Sequence, residues 1–207
     1  MKTQIDTLKS LAKSELFEIL NYWSFETIDE KNGGFIGEID YKNHKIFDAP
    51  KGSVLHARIL WSFSAAFEIT NDEKHKSLAK RAFDYIVSNF YDNQFGGIFW
   101  SINADGSPKE TKNQIYAIAF TIYGLAEYYK ISKDKKVLDL AIDLYKKIEL
   151  HSYDNQKEGY FEAFTRDWQP IEDLRLSEKD ANEKKTMNTH LHIFEAYANL
   201  YSVWKNI

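Results

Sequence analysis

Apolar residues return at three- and four-residue spacing over six stretches of the chain, roughly 3–23, 52–70, 73–90, 111–131, 134–150 and 184–205, which is the period of an amphipathic helix. Between the two members of each successive pair the pattern changes. Asp29 is followed by Gly33-Gly34-Phe35, Asp92 by Gly96-Gly97-Ile98-Phe99, and Asp154 by Glu158-Gly159-Tyr160-Phe161, so the aspartates stand 63 and 62 residues apart. After each turn comes a short alternating segment, Phe35 to Ile39, Ile98 to Ile102 and Tyr160 to Phe164, with the period of two that marks a strand or hairpin arm. The repeating unit is therefore a hairpin of two helices with a strand-bearing loop between them, and the chain holds three copies.

Connections between units are short (Thr70-Asn71-Asp72 and Ile131-Ser132-Lys133), whereas those within units are long, so the long loops gather on one face. The second helix of each unit is the more apolar: Val54 to Ile69, Ile115 to Tyr129 and Met187 to Trp204. The first helices carry the charge, with Lys74, Lys76, Lys80 and Arg81 in one and Lys135, Lys136, Lys146 and Lys147 in another. This segregation predicts an inner layer of helices wrapped by a solvated outer layer, with Ala65, Ala126 and Ala198 in register at one level of close approach. The fold class is all-α, an α/α toroid of helical hairpins with short β-hairpins in the loops on one face, built as one domain over 1–207. Such repeats bury their apolar faces only against neighbours. The last apolar stretch runs to Tyr201-Ser202-Val203-Trp204-Lys205-Asn206-Ile207 without a polar cap. At about 25 cal/mol per Å², an apolar face on the order of several hundred Å² left wet costs many kcal/mol, so a second half-ring or a second copy of the chain is expected to cover it.

Composition narrows the chemistry. Aromatic residues make up 15% of the 207 residues (13 Tyr, 14 Phe, 5 Trp), enough for ring-lined surfaces that suit carbohydrate once the core has taken its share. A net charge of −4, with basic and acidic residues interspersed, leaves no stripe for a phosphate backbone, and nucleic acid is not an expected partner. Without cysteine there is no disulfide framework, thiolate metal site or Cys nucleophile; a reducing compartment, the cytoplasm, is expected. Met1-Lys2-Thr3-Gln4-Ile5-Asp6 opens no signal-like apolar run, and no membrane association is expected. Gly-rich phosphate loops and nucleotide fingerprints are lacking, and no cofactor is expected.

Polar residues on the apolar helices are the informative ones, because a lumen lined by them is the natural ligand site. Arg58 lies in the run Leu55-His56-Ala57-Arg58-Ile59-Leu60-Trp61, where its guanidinium either holds ligand oxygens or closes a structural ion pair. Tyr116 opens the next inner helix, its phenol available to a hydroxyl or spent in the core. In Asn188-Thr189-His190-Leu191-His192-Ile193-Phe194-Glu195, the residues Asn188, His192 and Glu195 share one helical face and His190 points elsewhere. That separation leaves no metal-binding pair, and no metal is expected. The charged loop Leu176 to Glu183 reads either as solvated surface or as a cover whose Asp180 leans over the lumen entrance. A glycoside hydrolase would need two facing carboxylates about 5–10 Å apart, and Glu195 alone stands at a lumen position.

His56-Ala57-Arg58-Ile59-Leu60-Trp61-Ser62-Phe63-Ser64, Gly96-Gly97-Ile98-Phe99-Trp100, Lys112-Asn113-Gln114-Ile115-Tyr116-Ala117, Leu176-Ser177-Glu178-Lys179-Asp180 and Met187-Asn188-Thr189-His190-Leu191-His192, in this order, resemble the N-terminal half of the cellobiose 2-epimerases, relatives of the N-acylglucosamine 2-epimerases. The resemblance covers essentially the whole chain. It implies a ring of six hairpins, an (α/α)6 barrel, of which three are present, and inversion at C2 of the reducing-end glucose of a β-1,4-linked disaccharide through an enediolate. Arg58 and His192 would be its catalytic residues here, and Tyr116, Asp180 and Asn188 its substrate-binding ones. In relatives the acid/base histidine pair and the stacking tryptophans come from the second half, to which nothing in this chain corresponds. A missing half-barrel, or self-association through the exposed edge, is thus the expected partner, alongside a disaccharide or monosaccharide. A non-catalytic sugar-binding or assembly module is the alternative.

Overall fold

A computed structural model describes residues 2–206; Met1 and Ile207 lie outside the described residues. Six helices carry the architecture: α1 (Lys2–Glu26), α2 (Ser53–Thr70), α3 (Glu73–Tyr85), α4 (Ile115–Ser132), α5 (Lys135–His151) and α6 (Met187–Val203). Inner helices α2, α4 and α6 pack side by side, with α3 against α2 and α5 against α4 outside them. The hydrophobic pattern predicts these helical hairpins, and they are arranged as three of the six of the (α/α)6 barrel that the resemblance implies.

Local chemistry sets the boundaries. At the end of α2, Asn71 takes the left-handed conformation (φ 52°) that terminates a helix, and Asp72 then caps α3 by accepting from the Lys74 amide. Lys133 (φ 54°) and Asp134, which accepts from the Lys136 amide, repeat the device between α4 and α5. Two helical expectations are shortened. Residues 111–114 belong to a strand, and 184–186 precede α6, whose cap is Thr186. The expected helix 73–90 ends its α-helical part at Tyr85 and finishes in a π-helical turn, Ile86–Phe90.

Strands β1 (Glu38–Ile39) and β2 (Lys45–Ile46) form the hairpin expected of the first loop. The other loops cooperate instead of closing separate hairpins. Strands β3 (Lys51–Gly52), β4 (Phe99–Ile102), β5 (Pro108–Gln114) and β6 (Ala163–Phe164) join in one antiparallel sheet in that order, linking all three units, with Gly52 opposite Ser101 and Asn113 opposite Phe164. The polar run of β5 carries no apolar alternation, which is why the pattern assigned its end to a helix.

The three Asp turns are structural equivalents. In each, the Asp amide donates to the carbonyl of the second turn position, Gly34, Gly97 or Gly159, and a bridge joins Ile28 to Phe35, Tyr91 to Ile98 and Tyr153 to Tyr160. Gly34 sits at φ +62°, where a Cβ would stand 2.6 Å from the Tyr85 ring. Each carboxylate also meets a cation: Asp29 with Lys51 at 2.8 Å, Asp92 with Arg166 at 2.6 Å and Asp154 with Lys185 at 2.7 Å. Lys51 and Lys185 both stand two residues before an inner helix. Asn113 takes that place in the middle unit, and Arg166 of the following loop neutralises Asp92 in its stead.

Close approach of inner helices occurs at Gly124, where a Cβ would lie 2.7 Å from the Ala57 carbonyl oxygen. The expected Ala65, Ala126 and Ala198 register is off by one in α2. Counting from each helix start, Ser64 is the partner of Ala126 and Ala198, and Ala198 is exposed. The two ends of the arc present apolar surface: Phe194 of α6 is 71% exposed, and Leu8 of α1 is 68% exposed.

Candidate functional site

Because α2, α4 and α6 begin at the same level under the sheet, residues at equal distance from each helix start fall into rows across the inner wall. The sixth residues are Arg58, Phe120 and His192. The Arg58 guanidinium lies over the Phe120 ring at 4.5 Å, and that ring lies 4.4 Å from the His192 imidazole. A row thus runs cation, aromatic face, imidazole across three helices. The second residues of α4 and α6 are Tyr116 and Asn188, and Tyr116 sets its ring edge-on to His192 at 4.8 Å. One turn deeper, the ninth residues are Trp61, Tyr123 and Glu195. Trp61 stacks on Tyr123 at 5.4 Å and 8° between planes, and the Glu195 carboxylate reaches back to His192 Nδ1 at 2.7 Å. Burial, followed by the charges of Glu195 and Glu127, pushes the Tyr123 hydroxyl above its ordinary value.

Arg58 differs from one of its two sequence readings. It is exposed, and no carboxylate among the described residues pairs with it, so the structural ion pair is not formed. Its aliphatic stem rests on the wall and its head is open to an incoming group. Tyr116 is half-buried, its ring against His192 and its hydroxyl without a hydrogen-bond partner among the described residues, which favours ligand contact over core filling.

Asn188 and Asp180 belong to a second group nearby. Both line a cavity of about 240 Å³ with Glu162, Leu174, Arg175 and Thr186, between the loop over residues 174–183 and the start of α6. Asp180 is exposed and folds its carboxylate back onto the Ser177 amide and hydroxyl, each at 2.8 Å. That self-contained turn spends the carboxylate within its own loop. The loop is anchored by Gln114 and Lys112, which donate to the Arg175 carbonyl at 2.8 Å each. Buried Glu162 accepts from the Thr186 amide at 2.7 Å and so fixes the first turn of α6 beneath the cavity. The fold therefore brings Arg58 and His192 into one row on either side of Phe120, with Tyr116 and Asn188 one turn above it and Asp180 on the lining of the same cavity as Asn188.

His56 and His190 do a different job. His56 is fully buried; its Nε2 accepts from the Phe35 amide at 3.3 Å and its Nδ1 donates to the Gly52 carbonyl at 2.9 Å. His190 repeats this with the Tyr160 amide at 2.9 Å and the Thr186 carbonyl at 2.7 Å. Each latches the strand after an Asp turn to the first turn of an inner helix, and burial lowers the His56 pKa to about 4. The middle unit has Ile118 at the same place.

Phe120, Trp61 and Tyr123 were missed by single-residue inspection, since an aromatic on an apolar helix reads as core. The signal that finds them is positional, because they share row numbers with Arg58, His192 and Glu195.

The model of the N-acylglucosamine 2-epimerase (GlcNAc 2-epimerase) family matches residues 34–206. Over 202 residues the chain is 50% identical to a cellobiose 2-epimerase of Bacteroides fragilis, covering 97% of this chain and 52% of that protein. A cellobiose 2-epimerase of Ruminococcus albus is 39% identical over 183 residues, covering 88% and 46%. Among solved structures, the cellobiose 2-epimerase from Spirochaeta thermophila DSM 6192 superposes with a TM-score of 0.91 at 36% identity, over 99% of this chain and 51% of that one. A D-mannose isomerase, at 19% identity and TM-score 0.81, shares the fold. The chain spans about half the length of these relatives. With a matching model over most of its length, and a wall built as its repeats dictate, the chain belongs to the N-acylglucosamine 2-epimerase family.

Proposed function

We propose that residues 1–207 form the N-terminal half of an (α/α)6-barrel sugar 2-epimerase, an isomerase that inverts C2 of the reducing-end glucose of a β-1,4-linked disaccharide such as cellobiose. The observation that supports this most is the open row of Arg58, Phe120 and His192 in a chain so similar to proteins named cellobiose 2-epimerase.

In this reading the pyranose opens to its aldehyde, a base removes the C2 proton to leave an enediolate, and an acid returns a proton to the opposite face, giving mannose. Arg58, unpaired on the wall, holds the oxygens on C1 and C2 and stabilises the charge that develops there. His192 is one proton carrier, suited to the role by an imidazole that can both accept and donate a proton. Tyr116 and Asn188 hold sugar hydroxyls, and Asp180 shapes the covering loop. Proton transfer on both faces needs a group opposite His192, which the second half of the ring supplies. Action in the cytoplasm belongs to the same reading, resting on the cysteine-free composition. A non-catalytic assembly or sugar-binding role is favoured by one observation, the exposed apolar face of α6.

The test is complementation. The chain is incubated with cellobiose alone and together with the second half of the Bacteroides fragilis relative, and products are separated by carbohydrate chromatography. Conversion is expected only from the assembled ring, with a loss of about 10²–10³-fold in Arg58→Ala. Robust conversion by the isolated chain would overturn the need for a second half, and none by a verified assembled ring would favour the assembly role.

A further inference from the structure

Three histidines line the inner helices, and their hydrogen bonds sort them. His56 and His190 spend both ring nitrogens on backbone groups, as a latch requires. His192 spends one. Its Nδ1 meets Glu195 Oε2 at 2.7 Å, one turn along α6, and no protein group among the described residues hydrogen bonds its Nε2. A carboxylate only accepts, so the proton of the neutral imidazole sits on Nδ1, and the lone pair is left on Nε2.

We infer that Glu195 is the positioning residue of His192, fixing the imidazole in its Nδ1–H tautomer and so reserving Nε2 for proton transfer with the sugar. An ordinary surface pair at this helical spacing would leave its ring free to swing. Here the ring is also held by the Phe120 face at 4.4 Å and the Tyr116 ring at 4.8 Å, and the His192 side chain is only 15% exposed. The Glu195 carboxylate is itself 44% exposed, open enough to keep water on its other lone pairs while holding one bond. Arg58, on the far side of Phe120, is the cation of the row and does not compete for the carboxylate. The arrangement is that of a base oriented by an acid behind it, set on a single helix at i and i+3. Its catalytic consequence rests on the epimerase reading; the tautomer does not.

The experiment uses the 207-residue chain labelled with ¹⁵N-histidine and long-range ¹H–¹⁵N correlation spectra at alkaline pH. His192 is expected as the Nδ1–H form in about tenfold excess or more, as a charge-assisted bond gives. In Glu195→Ala that excess is expected to vanish, with Glu195→Gln between the two, while His56 and His190 keep their Nδ1–H signals and report an intact fold. In the assembled ring, Glu195→Ala is expected to lower kcat by more than about tenfold with KM little changed. An Nε2–H tautomer at His192 in the unaltered chain, or an unchanged ratio in both variants, would overturn the inference. An inactive assembled ring with the expected tautomers would instead count against the epimerase reading alone.

Discussion

His190 and His192 stand two residues apart on α6 and face different worlds. His190 closes a backbone latch that ties the third Asp turn to its inner helix, while His192 sits in the wall row with one nitrogen unspent. The same contrast separates two layers of the molecule. Under the sheet, the Asp turns, their cations and the His latches satisfy one another, and Lys51 and Asp29 are each only 1% exposed while paired. On the wall below, among the described residues, Arg58 has no carboxylate partner and the Trp61 indole N–H no hydrogen-bond partner. The polar side chains of the latch layer are spent on one another, whereas those of the wall are open to an incoming group.

Substitutions should separate the layers by size of effect. Lys51→Ala strands the Asp29 carboxylate in the interior and removes donors to the Gly33 carbonyl and the Tyr85 hydroxyl. Equilibrium denaturation is expected to register a loss of about 3–5 kcal/mol. Acid comes next. Burial chiefly holds folded His56 at a pKa of about 4, helped by the Lys51 charge and opposed by the bond to Gly52, against 6.5 when unfolded. The unfolded chain therefore binds the extra proton between those values, and stability falls as pH drops from 6.5 to 4, by a loss on the order of 3 kcal/mol. Denaturation midpoints across this window, compared with those of His56→Gln, check the assignment: the variant should show a shallower slope. Smallest is the wall, where Arg58→Ala, at an exposed position with no carboxylate partner among the described residues, is expected to change stability by about 0.5 kcal/mol or less.

The toroid was legible because each helix pair repeats its own punctuation, from the Asp turns to the short links at Asn71-Asp72 and Lys133-Asp134. Arg58, Tyr116, Asn188 and His192 were legible as polar residues on apolar helices. The shared sheet was not, since pairing Lys51 with Ile102, or Asn113 with Phe164, joins residues from different units and no local period encodes it. Nor were the cations of the Asp turns: Arg166 reaches Asp92 from 74 residues away, a distance that only the closed fold shortens. The exposure of Arg58 was hidden for a related reason, because an apolar neighbourhood in sequence says nothing about which side of the helix meets the wall.

The most direct test of the central claim, that the wall and not the latch layer is the sugar face, is a titration of the ¹⁵N-labelled chain with cellobiose followed by amide and side-chain chemical shifts. Perturbations are expected to concentrate at Arg58, Tyr116, Phe120, Asn188 and His192 and to leave Asp29, Lys51, His56 and His190 unmoved. Shifts confined to the Asp turns or the outer helices, or none at saturating sugar, would contradict it.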